Sequence, residues 1–136
     1  MSIEAEKAYL AGFVDGEGSV VITTVSAPIN GRKRHLLSLS IVNTDLVVLK
    51  VLGDEWPGGA LYTRERRKIR GWKPCGCLRW TTASAVRVLR EISPYLRIKA
   101  PQAEVAFEFA ETLRSRAHPT VPLTDSEWLA REQLRL

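Results

Sequence analysis

The most informative part of the chain is residues 10–18, which read LAGFVDGEG. Gly12 and Gly16 are four positions apart, so on a helix they share one face and allow a second backbone to approach closely. A glycine inside a helix costs about 1 kcal/mol relative to alanine, so two glycines on one face need a reason. The reason we favour is close packing against a second, identical helix.

Two acidic residues end this stretch. Asp15 and Glu17 lie at the C-terminus of the predicted helix, where the helix macrodipole disfavours negative charge. Carboxylate oxygens, together with the unpaired carbonyl oxygens of a helix C-terminus, suit a hard cation such as Mg²⁺. Two such helices meeting through their glycines would bring two Glu17 carboxylates together, as metal-assisted displacement of a phosphodiester requires. The alternative is a helix closed by a glycine-rich turn with one solvated acid.

The composition is that of one globular domain. The chain has 136 residues, of which 45% are hydrophobic and 26% charged, enough for one modest core. No apolar run approaches the roughly 18–20 residues of a membrane span, so we expect no membrane partner. The N-terminal residues include acids where a signal peptide carries bases, which predicts an intracellular protein of the cytoplasm, nucleoid or an organelle. The net charge of +5 permits a polyanionic partner but does not by itself identify one.

The two cysteines, Cys75 and Cys77, are separated by a single residue, and the only histidines are His35 and His118. One Cys-x-Cys pair without a second pair is a poor zinc site. We therefore expect two free thiols in a strand or turn of a protein from a reducing compartment.

Hydrophobic periodicity predicts the order helix, strand, strand, helix, strand, strand, helix, helix, an α+β fold with an antiparallel sheet and helices on one face. The first half is predicted to begin with a helix over 4–15. A hairpin follows, with strands over 19–24 and 36–42 and a loop over 28–34 that has Asn30 and Gly31 at its tip. The next helix is predicted over 45–52, capped by Asn43 or Thr44 and closed by Gly53. The second half is predicted to begin with strands over 60–69 and 77–82. A helix capped by Thr82 or Ser84 follows and is stopped by Pro94. The last helix of this half begins at about Pro101 and is predicted to bury Val105, Phe109 and Leu113.

The C-terminal segment is predicted separately. Pro119 and Pro122 indicate a linker, and Thr124 to Glu127 fits a capping box at the start of a short helix. This helix either packs on the core or frays. We therefore divide the chain into a domain over 1–117 and a C-terminal linker with a short helix over 118–136.

Residues 10–19, LAGFVDGEGS, resemble the signature of the LAGLIDADG homing endonucleases. The predicted elements from about Ala5 to Leu113 are similar to the αββαββα unit of that family. One motif in a short chain is typical of the homodimeric subclass, in which each subunit supplies one motif helix and half of the site.

The resemblance implies a site-specific double-strand DNA endonuclease. It would cut a long, near-palindromic target by Mg²⁺-dependent hydrolysis, with Mn²⁺ as a substitute, and leave short 3′ overhangs. Such enzymes are usually encoded within introns or by free-standing mobile genes.

The resemblance also implies roles for the residues of the motif. The last acid of the motif binds the metal in that family, which here is Glu17, and the carbonyl of Gly16 joins the coordination. Glu17 stands where the family commonly has aspartate. Its side chain is longer, so the resemblance leaves the cleavage rate and the metal preference of this chain open. Asp15 matches the first acid, which more often braces the interface, and the implied dimer interface comprises Ala11, Gly12, Asp15 and Gly16.

Two further residues complete the candidate catalytic set with Glu17. Lys99 matches a basic residue that recurs near the scissile phosphates just before the last core helix, where it would stabilise phosphate charge or polarise the attacking water. The alternative for Lys99 is a solvated lysine beside a helix. Asn43, at the end of the second strand, is the candidate for ordering the water network, unless it is only a helix cap.

The sheet is predicted to bind double-stranded DNA through the major groove, where each base pair presents a distinct pattern of donors and acceptors. Basic residues cluster between positions 64 and 79, where Glu65 is the single acid. Alternation places Arg64, Arg66 and Lys68 on one strand face, which Arg79 would join. The residues expected to contact DNA are Arg32, Lys33, Arg34, Arg64, Arg66, Lys68, Arg70, Lys73 and Arg79.

Two other classes of function remain open at this point. One is a binding module on the same fold, either a catalytically silent DNA-binding protein or an RNA-splicing maturase with intron RNA as its partner. The other is a structural dimerisation domain with incidental charge, which predicts weak, sequence-blind DNA binding that is lost at moderate salt.

Overall fold

A computed structural model of the chain describes residues 2–29, 32–64, 74–114 and 124–135. The predicted α+β class and order of elements are confirmed. In chain order the elements are α1 (Ile3–Glu17), β1 (Gly18–Ile29), β2 (Arg32–Asn43), α2 (Leu46–Glu55), β3 (Ala60–Arg64), β4 (Cys75–Thr81), α3 (Thr82–Ile92), a 3₁₀ turn (Ser93–Tyr95), α4 (Ala100–Arg114) and α5 (Asp125–Gln133).

The sheet has the strand order β1-β2-β4-β3, and all its described pairs are antiparallel. Ile22 lies opposite Leu37, and Leu39 lies opposite Trp80; all four are fully buried on the face that the helices cover. Because successive side chains alternate between faces, the residues between these point to the opposite face. We call that second surface the open face of the sheet.

The core lies between the covered face and the helices. Leu10, Ala11 and Val14 give α1 a buried stripe at helical spacing, and each fully buried leucine contributes roughly 1.5–3 kcal/mol relative to an exposed one. On α4, Phe109 is buried as predicted, whereas Val105 and Leu113 are only partly buried. The other buried residues of α4 are Ala103, Ala106 and Ala110, whose small side chains permit close helix packing.

The first hairpin is longer than predicted. β1 continues to Ile29 and β2 begins at Arg32, so the described residues of the predicted loop lie in strands. The register is irregular between Val25 and Ile29, which accommodates Pro28, a residue without a backbone N–H to donate. The predicted tip, Asn30 and Gly31, lies outside the described residues.

The second hairpin is described only in part. β3 ends at Arg64, and residues 65–69 of the predicted third strand lie outside the described residues. β4 begins at Cys75, two residues earlier than predicted.

Three predicted helix boundaries are wrong. The N-cap of α2 is Asp45, whose Oδ1 accepts a hydrogen bond from the Val48 N–H at 3.0 Å, so neither Asn43 nor Thr44 caps it. Gly53 lies inside α2 rather than after it. The N-cap of α3 is Thr81, which makes no capping hydrogen bond through its side chain, whereas Thr82 and Ser84 belong to the helix.

The C-terminal helix is docked against the rest of the chain. The predicted capping box is present, with Thr124 Oγ1 accepting from the Glu127 N–H at 3.2 Å and the Thr124 N–H donating to Glu127 Oε1 at 3.0 Å. His35 on β2 is hydrogen-bonded through Nε2 to Glu132 Oε2 at 2.6 Å. The buried Arg131 donates from Nε to Thr112 Oγ1 of α4 at 3.1 Å. These contacts favour packing over fraying, while Pro119 and Pro122 lie outside the described residues.

Helices that could cross a membrane are absent from the part of the chain that the structure describes. Cys75 and Cys77 are both free thiols on β4, and the described residues contain no cluster of three histidine, cysteine or acidic side chains.

Candidate functional site

An exposed carboxylate stands at the C-terminus of α1. Glu17 is the last residue of this helix, and its Oε2 accepts a hydrogen bond from Asn43 Nδ2 at 2.5 Å. Asn43 Oδ1 in turn accepts from the Asp45 N–H at 2.7 Å. The Asn43 amide is therefore held from one side and directs its N–H group at Glu17.

Asp15 points to a different part of the same chain. Its carboxylate accepts hydrogen bonds from the backbone N–H groups of Arg97, Ile98 and Lys99 at 2.8, 3.1 and 2.9 Å. Burial by itself would raise the pKa of Asp15, but these three N–H groups and the nearby charge of Lys99 together outweigh it, so the pKa lies below its ordinary value. A negative charge just ahead of α4 also matches the macrodipole of that helix. Asp15 thus ties the end of α1 to the start of α4.

The same turn carries Lys99. Its Nζ donates to the backbone carbonyl of Asp15 at 3.2 Å, in the last turn of α1. The three candidate catalytic residues, Glu17, Asn43 and Lys99, are therefore gathered around one helix end, although β2 and the start of α4 are far apart in the sequence.

One face of α1 is uncovered in the described part of the chain. A Cβ atom added at Gly12 or Gly16 would meet no other heavy atom within 4 Å. These glycines belong to an open groove of about 520 Å³, which we call the α1 groove. Its lining residues are Ala8, Tyr9, Gly12, Phe13, Gly16, Glu17 and Asn43.

The structure corrects the residues predicted for an interface. Ala11 is fully buried in the core beside Leu10, so its side chain cannot contact a second chain. Asp15 faces residues 97–99 of its own chain rather than lining the groove. The missed groove residues are Ala8, Tyr9 and Phe13, and their spacing of three or four from Gly12 and Gly16 was the signal that could have found them.

The donor set at Glu17 fits a divalent cation. Its carboxylate is exposed, and the Gly16 carbonyl lies in the last helical turn, where carbonyls have no intrahelical N–H partner. Mg²⁺ is commonly bound by one or two carboxylates while it keeps several waters. In the described residues of one chain, no cluster of three acidic, histidine or cysteine side chains that could hold a metal is present.

The open face of the sheet presents Arg79 between small neighbours. Arg79 is exposed, and its cross-strand partners are Ser40 and Ala60, so its guanidinium is accessible. Arg34 is also exposed, opposite Val25 near the end of the first hairpin.

The other basic residues predicted to contact DNA are placed as follows. Arg32 and Lys33 lie in β2 and Arg64 ends β3. Outside the described residues lie Arg66, Lys68, Arg70 and Lys73.

The fold is that of the LAGLIDADG homing endonucleases. I-CvuI, crystallised with the I-CreI target in the presence of Mg²⁺ and with the DNA not cleaved, superimposes with a TM-score of 0.76 and 21% identity over 98% of this chain and 79% of that chain. The archaeal intron-encoded I-Vdi141I, complexed with DNA, has a TM-score of 0.77 and 17% identity over 98% and 81%.

A further solved structure, I-SmaMI bound to uncleaveable DNA, has a TM-score of 0.75 and 20% identity over 94% of this chain, which spans 42% of that protein. No protein-family profile and no curated protein sequence matches the chain. The resemblance of residues 10–19 to the family signature is thus accompanied by the family fold.

Proposed function

We propose that this chain is a homodimeric, Mg²⁺-dependent, site-specific DNA endonuclease of the LAGLIDADG type. The observation that carries the proposal is the exposed Glu17 carboxylate, oriented by Asn43 at the end of the uncovered α1 groove. The solved structures with the same fold support it, since I-CvuI, I-Vdi141I and I-SmaMI are homing endonucleases or meganucleases bound to DNA.

The dimer forms through the α1 groove. Gly12 and Gly16 let the helix of a second copy approach closely, and Tyr9 and Phe13, with ring centroids 6.0 Å apart, provide apolar surface beside them. This packing brings the two Glu17 carboxylates together on the twofold axis. A twofold-symmetric protein matches a near-palindromic target.

Each protomer contributes its own residues to hydrolysis. Glu17 and the Gly16 carbonyl would hold the cation, which would supply Lewis-acid stabilisation of phosphate charge and activation of water. Asn43 keeps the Glu17 carboxylate in one orientation. Lys99, with its ammonium at the end of α1, stabilises the negative charge that develops on the phosphate.

The open face of the sheet binds the duplex. Arg79 and Arg34 are exposed cations on this face in the described part of the chain. The basic residues between positions 64 and 73 are expected, from the sequence alone, to add DNA contacts. The long target then follows from two such faces, one from each protomer.

Selection from a randomised duplex library tests this function. Wild-type protein and Glu17→Gln are used to enrich duplexes in Ca²⁺, and the selected duplexes are then transferred to Mg²⁺. We expect both proteins to select the same near-palindromic site and only the wild type to cut it. Glu55→Gln is the matched control, because Glu55 is likewise the exposed last residue of a helix, and it should cut normally.

The other outcomes are equally definite. Cleavage by Glu17→Gln would remove Glu17 from the mechanism. A selected site that neither protein cuts would make this chain a DNA-binding module on an endonuclease fold. No enrichment in DNA would contradict the proposal and direct the same selection to RNA.

A further inference from the structure

One row of the open face is apolar. Val42 of β2 and Tyr62 of β3 are both register partners of Cys77 of β4, so the three side chains adjoin on one face. Val42 is 47% exposed and Tyr62 is 58% exposed, while Cys77 is half-buried between them. We call these three residues the apolar row.

The apolar row lies at the end of the sheet nearest the candidate metal ligand. Val42 directly precedes Asn43, whose amide donates to Glu17. The next row outward along β2 is that of Ser40, Arg79 and Ala60. It is two residues away, which is about 6.6 Å along a strand.

We propose that the apolar row is a base-reading subsite that accepts the 5-methyl groups of thymine at the base pairs next to the cut. This inference rests on the proposed function, since it requires the open face to enter a DNA groove. Charge complementarity selects this occupant, because the apolar row adjoins the exposed Arg79 in a chain of net charge +5.

The chemistry of base edges accounts for the preference. In the major groove, thymine presents a methyl group at C5, where cytosine presents a hydrogen. Burial of this methyl group against valine and cysteine is favourable. Contact with the apolar row therefore favours thymine over cytosine by the burial of one methyl group.

The geometry also sets a spacing. Arg79 is suited to bidentate recognition of guanine. For strands aligned with the DNA axis, a separation of about 6.6 Å corresponds to about two base pairs at 3.4 Å each. The half-site should therefore contain thymine next to the cut and guanine about two base pairs farther from the centre.

Two randomised duplex libraries test the subsite, one made with thymine and the other with uracil throughout, so that they differ only in the 5-methyl group. Binding selections in Ca²⁺ compare the wild type, the double variant Val42→Ser/Tyr62→Ser and the control Val51→Ser. Val51 is 47% exposed, as Val42 is, but lies on α2.

We expect wild-type enrichment next to the cut to fall about fourfold per methyl group in the uracil library, the change that burial of one such group gives, while guanine enrichment persists. The double variant should lose the thymine preference and no longer distinguish the two libraries, and Val51→Ser should behave as the wild type.

Equal wild-type enrichment at these positions in both libraries would overturn the subsite, and so would a double variant that still prefers thymine over uracil. If such a site is nevertheless selected and cut, the proposed endonuclease stands and only the subsite fails. If neither library yields any enriched site with any of the proteins, both proposals fail together.

Discussion

At the scale of single residues, Asp15 and Glu17 differ in role because of helix geometry. Residues two apart in sequence are rotated by about 200° from each other around the axis of an α-helix. The two acids of one motif therefore face different surroundings. Asp15 meets the backbone N–H groups of residues 97–99, and Glu17 meets Asn43 and solvent. The bracing contact of Asp15 is thus made within one chain.

Replacing Asp15 by asparagine should lower the free energy of unfolding by about 1 kcal/mol at neutral pH, because a charged acceptor ahead of α4 is lost. Since the pKa of Asp15 is lowered by folding, its stabilisation is fully present above the ordinary aspartate pKa of about 3.9. That stabilisation disappears as the pH falls through the lower pKa of the folded state. Urea unfolding at several pH values and one protein concentration should show the difference between the two proteins closing in acid, and a constant difference would contradict this assignment.

Replacing Asn43 by alanine should slow cleavage about 10- to 100-fold while leaving target binding in Ca²⁺ unchanged, as is usual when a group that orients a metal ligand is removed. The reason is that Glu17 loses the donor that fixes its carboxylate. Single-turnover cleavage of the selected site measures the effect. Thr44→Ala, at the exposed neighbouring residue, is the control, and equal rates for both variants would show that Asn43 only shapes the turn before α2.

At the scale of elements, α1 is the helix with two apolar faces. Leu10, Ala11 and Val14 face the core, and the α1 groove residues Tyr9 and Phe13 lie on the other side. In the proposed dimer, the twofold copy of α1 covers this groove and brings a second Glu17 beside the first.

Replacing Gly12 by leucine should convert the dimer to monomers, because the added side chain occupies the space that a second helix needs. The protomer itself has room for the change, since a Cβ at Gly12 meets nothing within 4 Å in the described residues. Leucine also favours the helix over glycine by about 1 kcal/mol, so circular dichroism should show a folded chain.

Sedimentation velocity measures the change of assembly. Lys50→Leu, which places leucine at an exposed position of α2, should leave the dimer intact. A Gly12→Leu protein that still sediments as the wild-type dimer would exclude the α1 groove as the interface.

At the scale of the whole molecule, the proposed function makes one chain half of a site. In the proposed dimer, the single Glu17 and the single open face of one chain become a pair of each, and the net charge of +5 per chain is doubled. This doubling has a measurable consequence for DNA binding, because each phosphate contact releases counterions and adds about 0.9 to the salt slope.

Replacing Arg64, Arg66 and Lys68 together by glutamine should reduce the slope of log Kd against log salt by up to about 5, the value for six contacts in the dimer. Binding to the selected duplex between low and moderate salt gives the slope. Lys50 and Arg90, which lie on α2 and α3, and Arg135, which follows α5, are replaced in the same way as a control. This control lowers the net charge equally at positions outside the described strands. If both triple variants change the slope alike, DNA does not contact the second hairpin.

The features that could be read from the sequence are local. The helix around LAGFVDGEG, the alternating strands and the Thr124–Glu127 capping box follow from periodicity and from hydrogen bonds between near neighbours, which depend little on the rest of the fold. The resemblance of residues 10–19 to a known signature indicated the fold that the structure then showed.

The remaining features required the packed chain. Asp15 contacts residues 97–99, which are more than 80 positions away in the sequence. Ala11 faces the core because of the way α1 is rotated about its axis against the sheet. Likewise, Val42, Cys77 and Tyr62 adjoin only through strand register, and a slip of one residue would turn each to the other face. Such contacts arise from the relative placement of distant segments, which no local pattern of residues encodes.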